Sequence, residues 1–166
     1  MLNRKNSFFC TLVALLTLAA VARAEPVLQE YPVPPGSHPH DVAPAADGGV
    51  WYTAQRVGAL GHLDPKSGKT RHIPLGENSS PHGVIVGPDG SPWITDSGLN
   101  AIVRVEAATG AITRFPLPAN TPKANLNTAT FDRQGQLWFT GQEIMGTPYL
   151  IIDTRGRFNL TVHHLN

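Results

Sequence analysis

"SPHGVIVGPDGSPWITDSG", Ser80 to Gly98, has an earlier counterpart in the same chain, "HPHDVAPAADGGVWYTAQR", His38 to Arg56. Sliding the chain against itself by 42 residues brings His40 onto His82, Asp47-Gly48 onto Asp89-Gly90, Trp51 onto Trp93 and Thr53 onto Thr95. Gly68 then meets Gly110, and Pro74-Leu75 meets Pro116-Leu117, giving 12 identities over the 39 positions from Ser37 to Leu75. A third copy follows after three extra residues. In it Asn127 takes the His position, Gln134-Gly135 the turn, Trp138 the Trp and Thr140 the Thr. Self-similarity at a period of about 40 residues is the mark of a repeat architecture.

Each period reads as four short strands. "HGVIVG" is a β-branched run, Asp89-Gly90 a tight-turn signal, "PWITD" a second strand, "AIVRVE" an alternating third, and "AITRFPL" a fourth after Thr109-Gly110. Fifteen prolines and sixteen glycines suit many short strands joined by turns. No segment carries the i, i+3, i+4, i+7 apolar spacing of a long helix. The expected fold is all-β, with about three four-stranded blades of a β-propeller over residues 25–142 and repeats near 32–75, 76–117 and 118–158. Residues 143–166 read as a divergent tail, because the spacing from the Trp to the next acid lengthens and no Phe-Pro-Leu closes the unit. A blade cannot bury its faces alone. Trp51, Trp93 and Trp138 are therefore expected between blades, and Asp47 and Asp89 in turns.

The start of the chain reads as an export signal. Arg4 and Lys5 precede an apolar run from Phe8 to Ala22, and Ala22-Arg23-Ala24 is a small-x-small cleavage site. The run is shorter than the roughly 20 residues that span a bilayer. A cleaved signal over 1–24, a periplasmic or secreted mature chain and no stable membrane anchor are expected. The mature chain loses Cys10, the only cysteine, so packing must hold it together without a disulfide. Removing Arg4, Lys5 and Arg23 leaves ten basic residues against twelve acidic ones, formally −2. That balance gives no basic footprint for nucleic acid.

The motif P-H-G-V-x-x-G-P-D-G-x-x-W-x-T-D, followed by N-x-I-x-R-V-x-x-x-T-G-x-I-T-x-F-P-L-P, resembles the repeat of the virginiamycin B lyase (streptogramin lyase) family, and "ANLNTATFDRQGQLWFTGQ", Ala124 to Gln142, is similar to a later blade. The resemblance covers about Tyr31 to Gln142. It implies a seven-bladed ring with an active site at the mouth of the central channel. It also implies ring opening of a cyclic depsipeptide by elimination, with a divalent metal, typically Mg²⁺. In the family the metal- and base-bearing residues lie in later blades, so no catalytic residue and no metal ligand is carried over. Three blades fall short of a circle, so the expectation is a truncated or frame-disrupted member, impaired in activity, with the alternative of a short protein that completes a ring by self-association through its open edges.

The repeat itself nominates binding residues. His40, His82 and Asn127 each stand 11 residues before a Trp, at the start of the innermost strand, with Asp41 and Thr128 beside two of them. If these strands line the axis, the five side chains form a rim able to contact an anionic or amide-rich small molecule or cyclic peptide. The alternative for the two histidines is a repeated structural hydrogen bond. His38 and His62 are expected to face solvent, and His72 has no partner copy. Two other functions compete with the lyase: a non-catalytic ligand- or protein-binding propeller module, and a lactonase-like hydrolase with a calcium site. The last requires inward Glu, Asn and Asp where this chain has His, His and Asn. The mature chain has no G-x-S-x-G and no cysteine, so acyl transfer through a nucleophile is unsupported.

Overall fold

The computed structural model describes residues 26–119, 121 and 123–142, and the backbone alone of 148–153 and 161–164. The proposed signal segment and most of the region read as a tail lie outside the described residues. Residues 26–30 are irregular and belong to a separate unit, Met1–Glu30. Among the described residues no helix is long and apolar enough to cross a membrane.

Among the described residues twelve strands form three antiparallel four-stranded sheets. The first contains β1 (Pro39–Pro44), β2 (Val50–Ala54), β3 (Ala59–Asp64) and β4 (Lys69–Pro74). The second contains β5 (Pro81–Val86), β6 (Pro92–Asp96), β7 (Ala101–Val105) and β8 (Ile112–Pro116). The third contains β9 (Leu126–Phe131), β10 (Gln136–Gly141), β11 (Pro148–Asp153) and β12 (Thr161–His164). β11 and β12 fall within the stretch set apart from the repeat by its spacing, and they bring the third sheet to four strands. Between sheets, β1 packs on β5 and β5 on β9, so the first strands of successive sheets are neighbours. That is the wedge geometry of propeller blades arranged around an axis.

The turn chemistry explains the regular β1–β2, β5–β6 and β9–β10 hairpins. Gly48, Gly90 and Gly135 occupy the same repeat position, with φ of 82°, 77° and 78°. Residues with a Cβ resist that left-handed region. Asp47 Oδ1 accepts from the Gly49 N–H at 2.9 Å, and Asp89 Oδ1 from the Ser91 N–H at 3.1 Å, as expected of turn residues.

Both faces of β6 are covered, by the first sheet on one side and the third on the other, which is why it reads as an unbroken run of buried residues. Between the first and second sheets, Ala43, Trp51, Leu60 and Leu75 meet Val84, Ile94, Val103 and Val105. Between the second and third, Trp93 and Ile102 meet Leu126, Leu137 and Phe139. Trp51 and Trp93 are 2% and 4% exposed. Their indole N–H groups find no protein acceptor, so they act here through apolar area. Trp138 faces away from the second sheet and is only half-buried.

The first sheet departs from the pattern on its outer face. Tyr52 stands where Ile94 does in the second sheet, and its ring lies over Gly61, where a Cβ would sit 2.1 Å from the ring. Its hydroxyl is 2.9 Å from His72 Nε2, and Val33 packs against the same cluster. His62, expected in solvent, is buried at 8% exposure. It lies cross-strand from Trp51, ring centroids 4.4 Å apart, and its Nε2 is 3.1 Å from an Asp47 carboxylate oxygen. The pairing register made this contact, because Trp51 faces His62 directly across β2 and β3.

Candidate functional site

The three repeated rim positions come together. His40 and His82 have ring centroids 4.0 Å apart and tilted by 49°. Asn127 Nδ2 lies 3.4 Å from His82 Nε2. Thr128 donates its hydroxyl to Asn127 Oδ1 at 2.7 Å, which orients the carboxamide. His40 and Thr128 are exposed, and His82 and Asn127 half-buried. Two imidazoles and an amide, one from each of the three sheets, thus lie side by side.

Asp41 does something different. Its Oδ2 accepts the Val84 N–H at 3.0 Å, tying β1 to β5. The carboxylate is engaged by backbone and is the least available of the five candidates.

The repeated threonine sets the spacing of the rim. Thr53 Oγ1 accepts from the Asp41 N–H at 3.0 Å within its own sheet and donates to the His82 carbonyl at 2.9 Å in the next. Thr95 Oγ1 accepts from the Gly83 N–H at 2.9 Å and donates to the Asn127 carbonyl at 2.5 Å. A hydroxyl offers one donor and two acceptor sites, so one side chain can fasten two sheets. Gly83 is needed at this junction. A Cβ there would sit 2.6 Å from the Asn127 carbonyl oxygen and 2.9 Å from Thr95 Oγ1.

A further brace had no repeat to reveal it. Asp96 is fully buried at the end of β6. Its Oδ1 accepts the N–H groups of Ser80, Gly98 and Leu99 at 2.9, 3.0 and 3.0 Å, and its Oδ2 accepts the Ser79 hydroxyl at 2.5 Å. Next to it, Ser97 donates to the Leu126 carbonyl at 2.7 Å. Thr95, Asp96 and Ser97 together hold the chain leading into β5 and β9, and so hold the backbone that carries His82 and Asn127. The Asp-Ser-Gly turn signal at 96–98 was the available clue.

Burial holds the His82 imidazole below its ordinary value of 6.5, and neighbouring His40 adds to this, while the Asn127 carbonyl and the Asp41 carboxylate oppose it. Burial also lowers His72. Both groups favour the neutral ring in the folded chain. The unfolded chain takes up protons first as pH falls, so folding stability should be level above about pH 7 and decline as pH drops through about 6.5. Denaturant midpoints across that window check this. The double variant His72→Gln/His82→Gln should flatten the decline.

The family resemblance implies Mg²⁺, a hard cation that takes oxygen ligands. The rim offers two imidazoles and a carboxamide, and the nearest carboxylate is bonded to a backbone N–H. Among the described residues no group of three or more His, Cys, Asp or Glu could hold a metal ion. The described residues do not fit Mg²⁺.

Comparison with known proteins agrees with this architecture. The selenomethionine-substituted virginiamycin B lyase from Staphylococcus aureus is 30% identical, with a TM-score of 0.73 over 84% of this chain and 45% of that one. A streptogramin B lyase structure is also 30% identical, with a TM-score of 0.71 over 82% of this chain and 44% of that one. A gluconolactonase from Xanthomonas campestris, 14% identical with a TM-score of 0.61 over 77% of this chain and 47% of that one, shares the fold alone. The comparison with curated proteins returned no match. This chain thus spans less than half the length of the lyases it resembles. The virginiamycin B lyase family matches residues 4–158, nearly the whole sequence, and with the three sheets and the 30% identity this establishes that the chain belongs to that family.

Proposed function

We propose that the chain is an exported, streptogramin-lyase-type propeller segment that binds a cyclic depsipeptide or a related amide-rich ligand at its rim. Ring opening by elimination is the reaction class of the site to which that rim belongs. The convergence of His40, His82 and Asn127 at one end of three neighbouring sheets supports this reading most directly. A neutral His82 ring and the Asn127 amide supply both donor and acceptor to peptide groups. His40 adds an exposed aromatic face. Elimination needs a base at the carbon next to a carbonyl and stabilisation of the developing enolate. The rim could orient the substrate for that step. The described residues include no carboxylate cluster to assist it. Binding is therefore the function assigned to these three blades, and ring opening by this chain alone is expected to be undetectable.

Calorimetric titration of the full chain with a type B streptogramin tests the assignment, with mass spectrometry of the mixture in the presence of Mg²⁺. Saturable binding is expected, weakened about tenfold or more by His82→Ala, because each tenfold is about 1.4 kcal/mol and one buried hydrogen bond is worth about that. Absence of binding overturns the proposal. A linear product heavier by one water would indicate hydrolysis and overturn the lyase class. A linear product of unchanged mass would assign the full reaction to this chain and overturn the restriction to binding.

A further inference from the structure

We propose that Thr128 and Asn127 are positioning residues that hold the neutral His82 ring in the form protonated at Nδ1, so that His82 addresses a ligand as a hydrogen-bond donor. The three side chains form one chain of hydrogen bonds at the rim. Thr128 donates its hydroxyl to Asn127 Oδ1 at 2.7 Å. That separation is typical of an O–H···O bond and shorter than N–H···O bonds usually run, so the carboxamide turns its oxygen to Thr128. Its nitrogen is left toward the imidazole, with Nδ2 3.4 Å from His82 Nε2. An amide nitrogen donates and does not accept, and a protonated ring nitrogen has no lone pair to offer. The contact is therefore a hydrogen bond only when Nε2 is bare and the proton is on Nδ1. Which ring nitrogen carries the proton follows from the bond that the other one makes.

The backbone holds each member of this chain in place. The His82 carbonyl accepts the Thr53 hydroxyl at 2.9 Å, and the Asn127 carbonyl accepts the Thr95 hydroxyl at 2.5 Å. The Thr128 N–H donates to Thr140 Oγ1 at 3.2 Å. The other groups around the ring are already engaged or meet it differently. The Asn127 main-chain carbonyl lies near the imidazole, but the Thr95 hydroxyl occupies it. The Asp41 carboxylate is bonded to the Val84 N–H, and His40 meets His82 ring to ring at 4.0 Å. Turning the carboxamide over would reverse the order: Oδ1 would face His82, and the proton would move to Nε2. With Nε2 taken by Asn127, the ring keeps a donor at Nδ1 and no free acceptor, so His82 selects a carbonyl or carboxylate oxygen over an N–H group. This selectivity rests on the rim being the ligand site; the proton position does not.

Long-range proton–nitrogen NMR of the ¹⁵N-labelled, ligand-free full chain reads the proton position directly, at about pH 8, where histidine is neutral. His82 should show a protonated Nδ1 and a bare Nε2. Asn127→Asp replaces the amide donor by a carboxylate that only accepts, at nearly the same size, so the ring should invert to the Nε2–H form. Thr128→Val frees the carboxamide to turn and should give a mixture of the two forms, and Thr128→Ser should restore the wild-type spectrum. Circular dichroism confirms the β fold of each variant. A wild-type ring protonated at Nε2, an Asn127→Asp ring that keeps the wild-type form, or a Thr128→Val spectrum identical to wild type would each overturn the proposal. The spectra use no ligand, so a failed streptogramin titration overturns the binding assignment alone.

Discussion

Trp93→Ala should lower the unfolding free energy by about 3–5 kcal/mol, the range for removing a large aromatic side chain from a packed core. The ring is 4% exposed and lies between the second and third sheets. It stacks on Phe115 at 5.4 Å and 7°, and meets Phe131 edge-on at 5.7 Å. No smaller side chain at that position reaches both partners, and strands pinned by hydrogen bonds on either side limit collapse into the space. The two unfolding transitions compared in urea measure the effect. Trp138→Ala is the internal control: the same residue type at the same repeat position, but half-buried, so its loss should be clearly smaller. Equal losses for the two would mean that the space between sheets is not where the repeat stores its stability.

Asp96→Ala should cost about 2–4 kcal/mol and should also disturb the rim. The substitution leaves three backbone N–H groups and the Ser79 hydroxyl without their acceptor. Each unsatisfied buried donor costs about 1–3 kcal/mol, and water reaching the partly exposed Ser80, Gly98 and Leu99 recovers part of that. Asp96→Asn keeps one acceptor oxygen and should lose less. A structural readout separates brace from bulk stability: the His82 ring proton shifts in NMR should move in Asp96→Ala, since Ser80 lies two residues before His82. Unchanged shifts in a folded variant would show that the brace does not carry the rim.

Comparing the repeats exposed whatever they share. The Asp-Gly turns, the inter-sheet tryptophans and the common position of His40, His82 and Asn127 all follow from one offset. Each is a physical requirement of the wedge, so each recurs. What occurs once stayed hidden. Asp96 corresponds to Ala54 in the first copy and Gly141 in the third, so no comparison could single it out. The register that sets His62 against Trp51 and Asp47 recurs in its counterpart Arg104, which faces Trp93 and pairs with Asp89, but only the shorter imidazole is buried by it, and the sequence does not show that difference. Asp41 looked like a rim ligand because it follows His40. The neighbouring sheet's Val84 N–H claims its carboxylate, a contact 43 residues away that sequence adjacency does not reveal. The last two strands of the third sheet were obscured because longer connections break the spacing while strand pairing persists.

The threonine fastening has an evolutionary consequence. Thr53 and Thr95 grip the main-chain carbonyls of His82 and Asn127, not their side chains. A mutation at either position leaves the grip intact, because every amino acid supplies the same carbonyl. The side chains at these positions can therefore vary without loosening the scaffold, and the histidine at 82 and the asparagine at 127 are held by the same fastening.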